Sequence, residues 1–141
     1  MWTCNSCGRS FNKVGQPHSC RKIDLDEHFK NKQSAKKLFN YLVKNINERI
    51  GVCQIVSIPC CIHLFGKYDF LAIIPKKDRL EIRFALERKL NSLRLKQSVP
   101  VSLKNIKNCI DINNEGDVNE ELLGWLNEAY YLKEEHKHKS I

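Results

Sequence analysis

The chain has 141 residues, 42% of them hydrophobic and 28% charged, with a formal net charge of +8. That is one globular domain with room for a small appendage, and it is too apolar for a disordered chain. The longest apolar run, 70–75, falls far short of the ~20 residues of a spanning helix, and the first residues have no basic or apolar leader, so a cytoplasmic protein is expected.

The first stretch, residues 2–20, gathers Cys4, Cys7, His18 and Cys20. Cys4-x-x-Cys7 lets two thiolates of one tight turn reach the same ion, and His18-x-Cys20 returns a second pair. Four such donors predict a closed tetrahedral zinc site, a zinc knuckle. Gly8 suits the turn, and Trp2 and Phe11 are suited to cover the cluster. The competing reading is a CxxC redox pair, but no helical pattern follows Cys7 as a thioredoxin-like site requires. His28 is the alternative imidazole and ranks behind His18. An odd cysteine count and a reducing compartment both argue for metal thiolates over a disulfide framework.

Residues 21–33 are polar and read as a linker with a short helix over 24–30, docked by Ile23, Leu25 and Phe29. A domain boundary is expected near residue 31, giving a knuckle and linker over 1–30 and a main domain over 31–141. Residues 34–49 are a helix: Ala35, Leu38, Phe39, Leu42, Val43 and Ile46 recur at helical spacing, Ser34 suits the N-cap, and Gly51 suits a left-handed position after the end.

Residues 52–58 and 62–65 read as strands separated by Pro59. Cys60, Cys61 and His63 invite a metal or nucleophile reading, but free cysteine is more often a buried apolar filler, and packing is the reading adopted. A turn at 66–69 leads to a strand at 70–74. From Leu80 to Glu87 a period of two predicts another strand, against a competing helical stripe of Ile82, Leu86, Leu90 and Leu93. Residues 88–98 read as a basic loop or short helix, and 108–112 as a last short strand. After the turn at 113–116, Asp117 and Glu120 resemble a capping box for a closing helix through about Lys133, with Trp125 in the core. Runs of strands flanked by helices predict an α+β fold: a mostly antiparallel sheet of four to five strands between an N-terminal and a C-terminal helix, preceded by the knuckle.

Charge is unevenly placed. Residues 1–104 carry 20 Lys/Arg against 8 Asp/Glu, and residues 105–141 carry 4 against 8. A basic body points to an anionic partner, most simply RNA or DNA. Arg9, Lys13, Lys67, Lys76, Lys77, Arg79 and Arg83 are the candidate phosphate contacts, with Tyr68 or Phe11 available to stack on a base. A protein-interaction adaptor is the alternative. An enzyme ranks last, because the chain has no HExxH, phosphate loop or nucleophile elbow.

The end motifs also carry a family likeness. Trp2, Cys4, Cys7, Arg9, Phe11, Gln16, His18, Ser19 and Cys20 match one motif. Glu121, Leu122, Trp125, Leu126, Glu128, Ala129 and Tyr130 match a second, and Phe70, Pro75, Lys76 and Lys77 a third. On these the chain resembles small bacterial proteins of the domain-of-unknown-function family 5655. The resemblance implies no established activity. Related domains occur beside nuclease-like modules, which favours nucleic acid by association alone.

Overall fold

A computed structural model of the chain describes residues 2–5, 10–11, 13–15 and 22–139, the side chains of 10, 11 and 133–139 excepted. The N-terminal part forms a two-stranded antiparallel ribbon, β1 (Trp2–Thr3) and β2 (Ser10–Phe11), in the register Trp2↔Phe11 and Thr3↔Ser10. The main body is α1 (Leu25–His28), α2 (Gln33–Arg49), β3 (Gln54–Ile58), β4 (Cys61–Phe65), β5 (Asp69–Pro75), β6 (Leu80–Leu86), β7 (Leu95–Ser102), β8 (Asn105–Ile112), a 3-10 turn (Glu115–Asp117) and α3 (Glu120–Lys139). This is α+β, as the pattern predicts. The sheet has six strands in the order β3-β4-β5-β6-β8-β7, every neighbouring pair antiparallel.

The alternating strand signal of β6 prevails over the helical stripe for a physical reason. Leu80, Ile82, Phe84 and Leu86 all reach the core, and both edges of β6 find partners, Ala72↔Arg83 on β5 and Arg83↔Cys109 on β8. The expectation of four to five strands is corrected to six. Residues 95–102 are a strand and not a loop, and β8 begins at Asn105, not Asn108. Strand β7 hides from the hydrophobic pattern because it is the sheet edge and buries almost nothing. An edge also tolerates Pro100, which has no N–H to donate.

One face of the sheet packs on α2 and α3. Ala35, Leu38, Phe39, Leu42 and Ile46 of α2 and Leu122, Leu123, Trp125, Leu126 and Ala129 of α3 join Ile62, Leu64, Leu71, Ile73, Ile82, Ile110 and Ile112 in one core. Phe84 stacks on Trp125 at 6.1 Å between centroids, and the Arg94 guanidinium lies 5.6 Å from the same indole. Residues 22–30 belong to this body as well. Phe29 is in the core, 5.1 Å from Phe39, and Ile23 N–H donates to Ser57 O at 3.1 Å on the edge strand β3. No helix among the described residues is long and apolar enough to cross a membrane.

The helix ends differ from the expected ones. Helix α2 starts at Gln33, capped by Lys32 without a side-chain bond, and Ser34 lies inside it. Asn31 takes φ 60° to turn α1 into α2, a conformation that asparagine tolerates. Gly51 is not left-handed; it is small because Tyr130 lies over it, where a Cβ would come 2.8 Å from the phenol oxygen. The capping box belongs to the 3-10 turn, between Asn114 and Asp117. Asn119, not Asp117, caps α3: its Oδ1 accepts from Leu122 N–H at 3.0 Å.

Candidate metal centre

The face of the sheet turned away from α2 and α3 carries the chemistry. Ile58 pairs with Cys61, so Pro59 and Cys60 form the two-residue turn between β3 and β4. Neither residue has positive φ, so the turn is of the kind whose first position proline presets. Cys60 is therefore exposed at the turn, and Cys61 follows as the first strand residue. Period two then puts Cys61 and His63 on one face of β4. The donor atoms of Cys60, Cys61 and His63 lie within 4.8 Å of one another, close enough to hold one metal ion. Cys60 Sγ is 3.1 Å from Cys61 Sγ, which is 3.1 Å from His63 Nε2. Burial, then the neighbouring Cys60, pushes the Cys61 thiol up to about 12. Cys60 is exposed, so the packing role given to this group from the sequence is corrected for that residue.

A carboxylate lies behind the imidazole. Asp69, at the start of β5, places Oδ2 2.8 Å from His63 Nδ1. The contact is off the line of an N–H hydrogen bond, which leaves Nδ1 buried without a straight acceptor. A bulge between β4 and β5, where Leu64 faces Leu71 but Phe65 faces Asp69, brings this carboxylate back towards His63.

Two strands away on the same face, Glu81 is buried among cations. It accepts from Arg83 at 2.9 Å and from Lys96 at 3.0 Å, and Lys96 also reaches Asp111 at 3.2 Å. Burial alone would push the Glu81 carboxyl up; the hydrogen bonds from Lys96 and Arg83, and their charges, outweigh it and hold the group below its ordinary range.

Of the residues predicted to bind zinc, Cys4 is buried just after β1. Cys7, His18 and Cys20 lie outside the described residues, as does Arg9. The alternative ligand His28 is engaged elsewhere, its Nε2 2.8 Å from Ile58 O. The predicted phosphate contacts of the main body are spread over its sheet. Lys67 is in the β4–β5 turn and Lys76, Lys77 and Arg79 are in the β5–β6 turn, so the seven residues of β5 stand between them, about 20 Å at strand rise. Arg83 is in mid-strand, paired with Glu81. Arg79 contacts Asp78 at 3.3 Å and Asp111 at 3.7 Å. Lys13 is exposed in the N-terminal part. The sequence reading missed Lys32, whose ammonium donates to Pro75 O at 3.2 Å and so joins the β5–β6 turn.

No family model matches the chain, and neither a curated protein nor a solved structure does. The likeness to family 5655 gains no support from these comparisons.

Proposed function

We propose that this protein is a non-catalytic zinc protein that binds a nucleic-acid backbone through its basic surface. The observation that carries the binding reading is the convergence of Lys32, Lys76, Lys77 and Arg79 on the β5–β6 turn. There the carboxylates in contact with these cations, Asp78 and Asp111, both go to Arg79. Two lysines on the turn and Lys32 beside it, with no carboxylate paired to them among the described residues, suit phosphate oxygens and the release of counterions. Zinc is the metal that the Cys4, Cys7, His18 and Cys20 set favours. The Thr3↔Ser10 pairing supports that assignment: it brings the chain back on itself across the Cys4-x-x-Cys7 spacing, and Cys4 is buried in a segment too short for a core of its own.

Lys76→Glu/Lys77→Glu should weaken binding to a labelled duplex or single strand and flatten its dependence on salt. Each lost phosphate contact removes about 0.9 from the logarithmic slope on duplex DNA. Cys7→Ser should lose one equivalent of zinc. Equal affinity and slope in the lysine variant would overturn the nucleic-acid reading. A protein-interaction role would then be favoured, with Val99, Val101 and Leu103 exposed along the β7 edge and its turn as the surface to test.

A further inference from the structure

We infer that Cys60, Cys61 and His63 form a second metal centre, separate from the N-terminal set, that takes a thiophilic d10 cation, zinc(II) or copper(I). Asp69 is its positioning residue. The inference does not depend on nucleic-acid binding.

Two thiols and an imidazole are the soft and borderline ligands that select zinc and copper(I) over magnesium or calcium. Geometry then asks whether one ion fits. Bonds of about 2.3 Å to sulfur and about 2.0 Å to nitrogen, at tetrahedral angles, separate two sulfurs by about 3.8 Å and sulfur from nitrogen by about 3.5 Å. Both observed separations are 3.1 Å. Those two pairs must open by roughly half an ångström, and all three donors already lie within 4.8 Å of one another. Cys60 supplies that freedom because it sits exposed on a turn. Cys61 and His63 are fixed by the β3 and β5 ladders on either side.

The second observation is the carboxylate. Histidines that bind metal through one ring nitrogen usually present the other to a carboxylate or carbonyl, which fixes the tautomer and the ring. Here Nε2 faces the thiol and Nδ1 faces Asp69, on the correct sides of one ring. A cysteine pair buried only as apolar filler would have no use for a histidine between it and a carboxylate. It would not place one of its two sulfurs in water either.

The test is metal stoichiometry in the full chain, purified under reductant and desalted. Zinc is added in one arm, and copper(I) in an anaerobic arm, each with a chromophoric competitor. In at least one arm Cys60→Ser should bind one equivalent less than the parent, and Cys60 is exposed, so this variant should keep its fold. His63→Gln should lose the same equivalent, whereas Cys7→Ser should retain it. Asp69→Asn should keep the stoichiometry and weaken the affinity 10–100-fold. The arm that loads names the ion. Unchanged stoichiometry in folded Cys60→Ser and His63→Gln would overturn the inference. So would a Cys60–Cys61 disulfide found by mass in the reduced preparation. Loss of an equivalent in Cys7→Ser alone would leave the N-terminal site standing and this one refuted.

Discussion

The Glu81 cluster gives the sharpest quantitative expectation. The Glu81 side chain is only 10% exposed, while its two cations, Arg83 at 57% and Lys96 at 41%, reach water easily. Removing one cation, by Arg83→Met or Lys96→Met, leaves the carboxylate with the other, and each change alone should cost little because both cations reach water. Removing both strands a buried charge, which costs about 3–5 kcal/mol. The loss in the double variant should therefore exceed the sum of the two single losses. Glu81→Gln in the double background should recover most of that coupling, because the stranded charge is gone. The pH dependence has a definite sign. The native carboxyl is held below its reference value of 4.5. Its contribution is complete above the unfolded-state value and is lost as pH falls through the lower folded value. In the double variant the unpaired buried carboxyl moves the other way, so the gap between variant and parent is widest near neutrality and closes in acid. Urea unfolding of the four proteins of the cycle from pH 3 to 7 checks this. Additive losses at pH 7, or a gap that does not move with pH, would refute the argument.

Two further outcomes follow from packing. Gly66→Ala should destabilise by about 1–3 kcal/mol in thermal or urea unfolding, because a Cβ there would lie 2.6 Å from the Tyr130 Cζ. Tyr130 has little room to yield, packed 5.0 Å from Phe70 and with its hydroxyl donating to Val52 O. A fragment 22–141 should be clearly more stable than 31–141, because only the longer one keeps Phe29 in the core. Phe29→Ala in the full chain should cost about 3–5 kcal/mol by the same measurement.

Much of the body was legible in the sequence because burial there follows periodicity. The Ala35–Ile46 stripe and the Leu80–Leu86 alternation name their inward faces directly, and both faces are in the core. Strand β7 was not legible: Lys96, Gln97, Val99, Pro100 and Val101 are all exposed, and an edge strand held mainly by its ladder leaves no apolar pattern. Gly51 misled for a related reason. Its position after a helix suggests a backbone role, while its real constraint is a tyrosine from the far end of the chain. The Cys60–His63 group was partly legible. A proline-led two-residue turn predicts that Cys60 flanks a strand start, and period two puts Cys61 and His63 on one face. What no spacing revealed is Asp69, which reaches the imidazole only through the β4–β5 bulge.

The same geometry bears on where the proposed anionic partner would sit on the body. The sheet face opposite the helices has cations, but its central ones are spent: Arg83 and Lys96 serve Glu81, and Lys96 also serves Asp111. A phosphate docking there must compete with carboxylates already in place, and separating those pairs leaves Glu81 buried and alone. The β5–β6 turn carries no such penalty. Its lysines project from a loop, the carboxylate beside them, Asp78, is exposed, and the guanidinium of Arg79 already takes that charge. Lys32 adds a cation at no cost to any ion pair, since its partner is the Pro75 carbonyl. Part of the positive charge of the first 104 residues is thus gathered in a cluster at one end of the sheet. The Pro59–Cys60 turn lies at that same end, since β3 and β5 run in the same direction. A metal bound by Cys60 and Cys61 would therefore fix the geometry of the edge beside which the phosphates are proposed to lie.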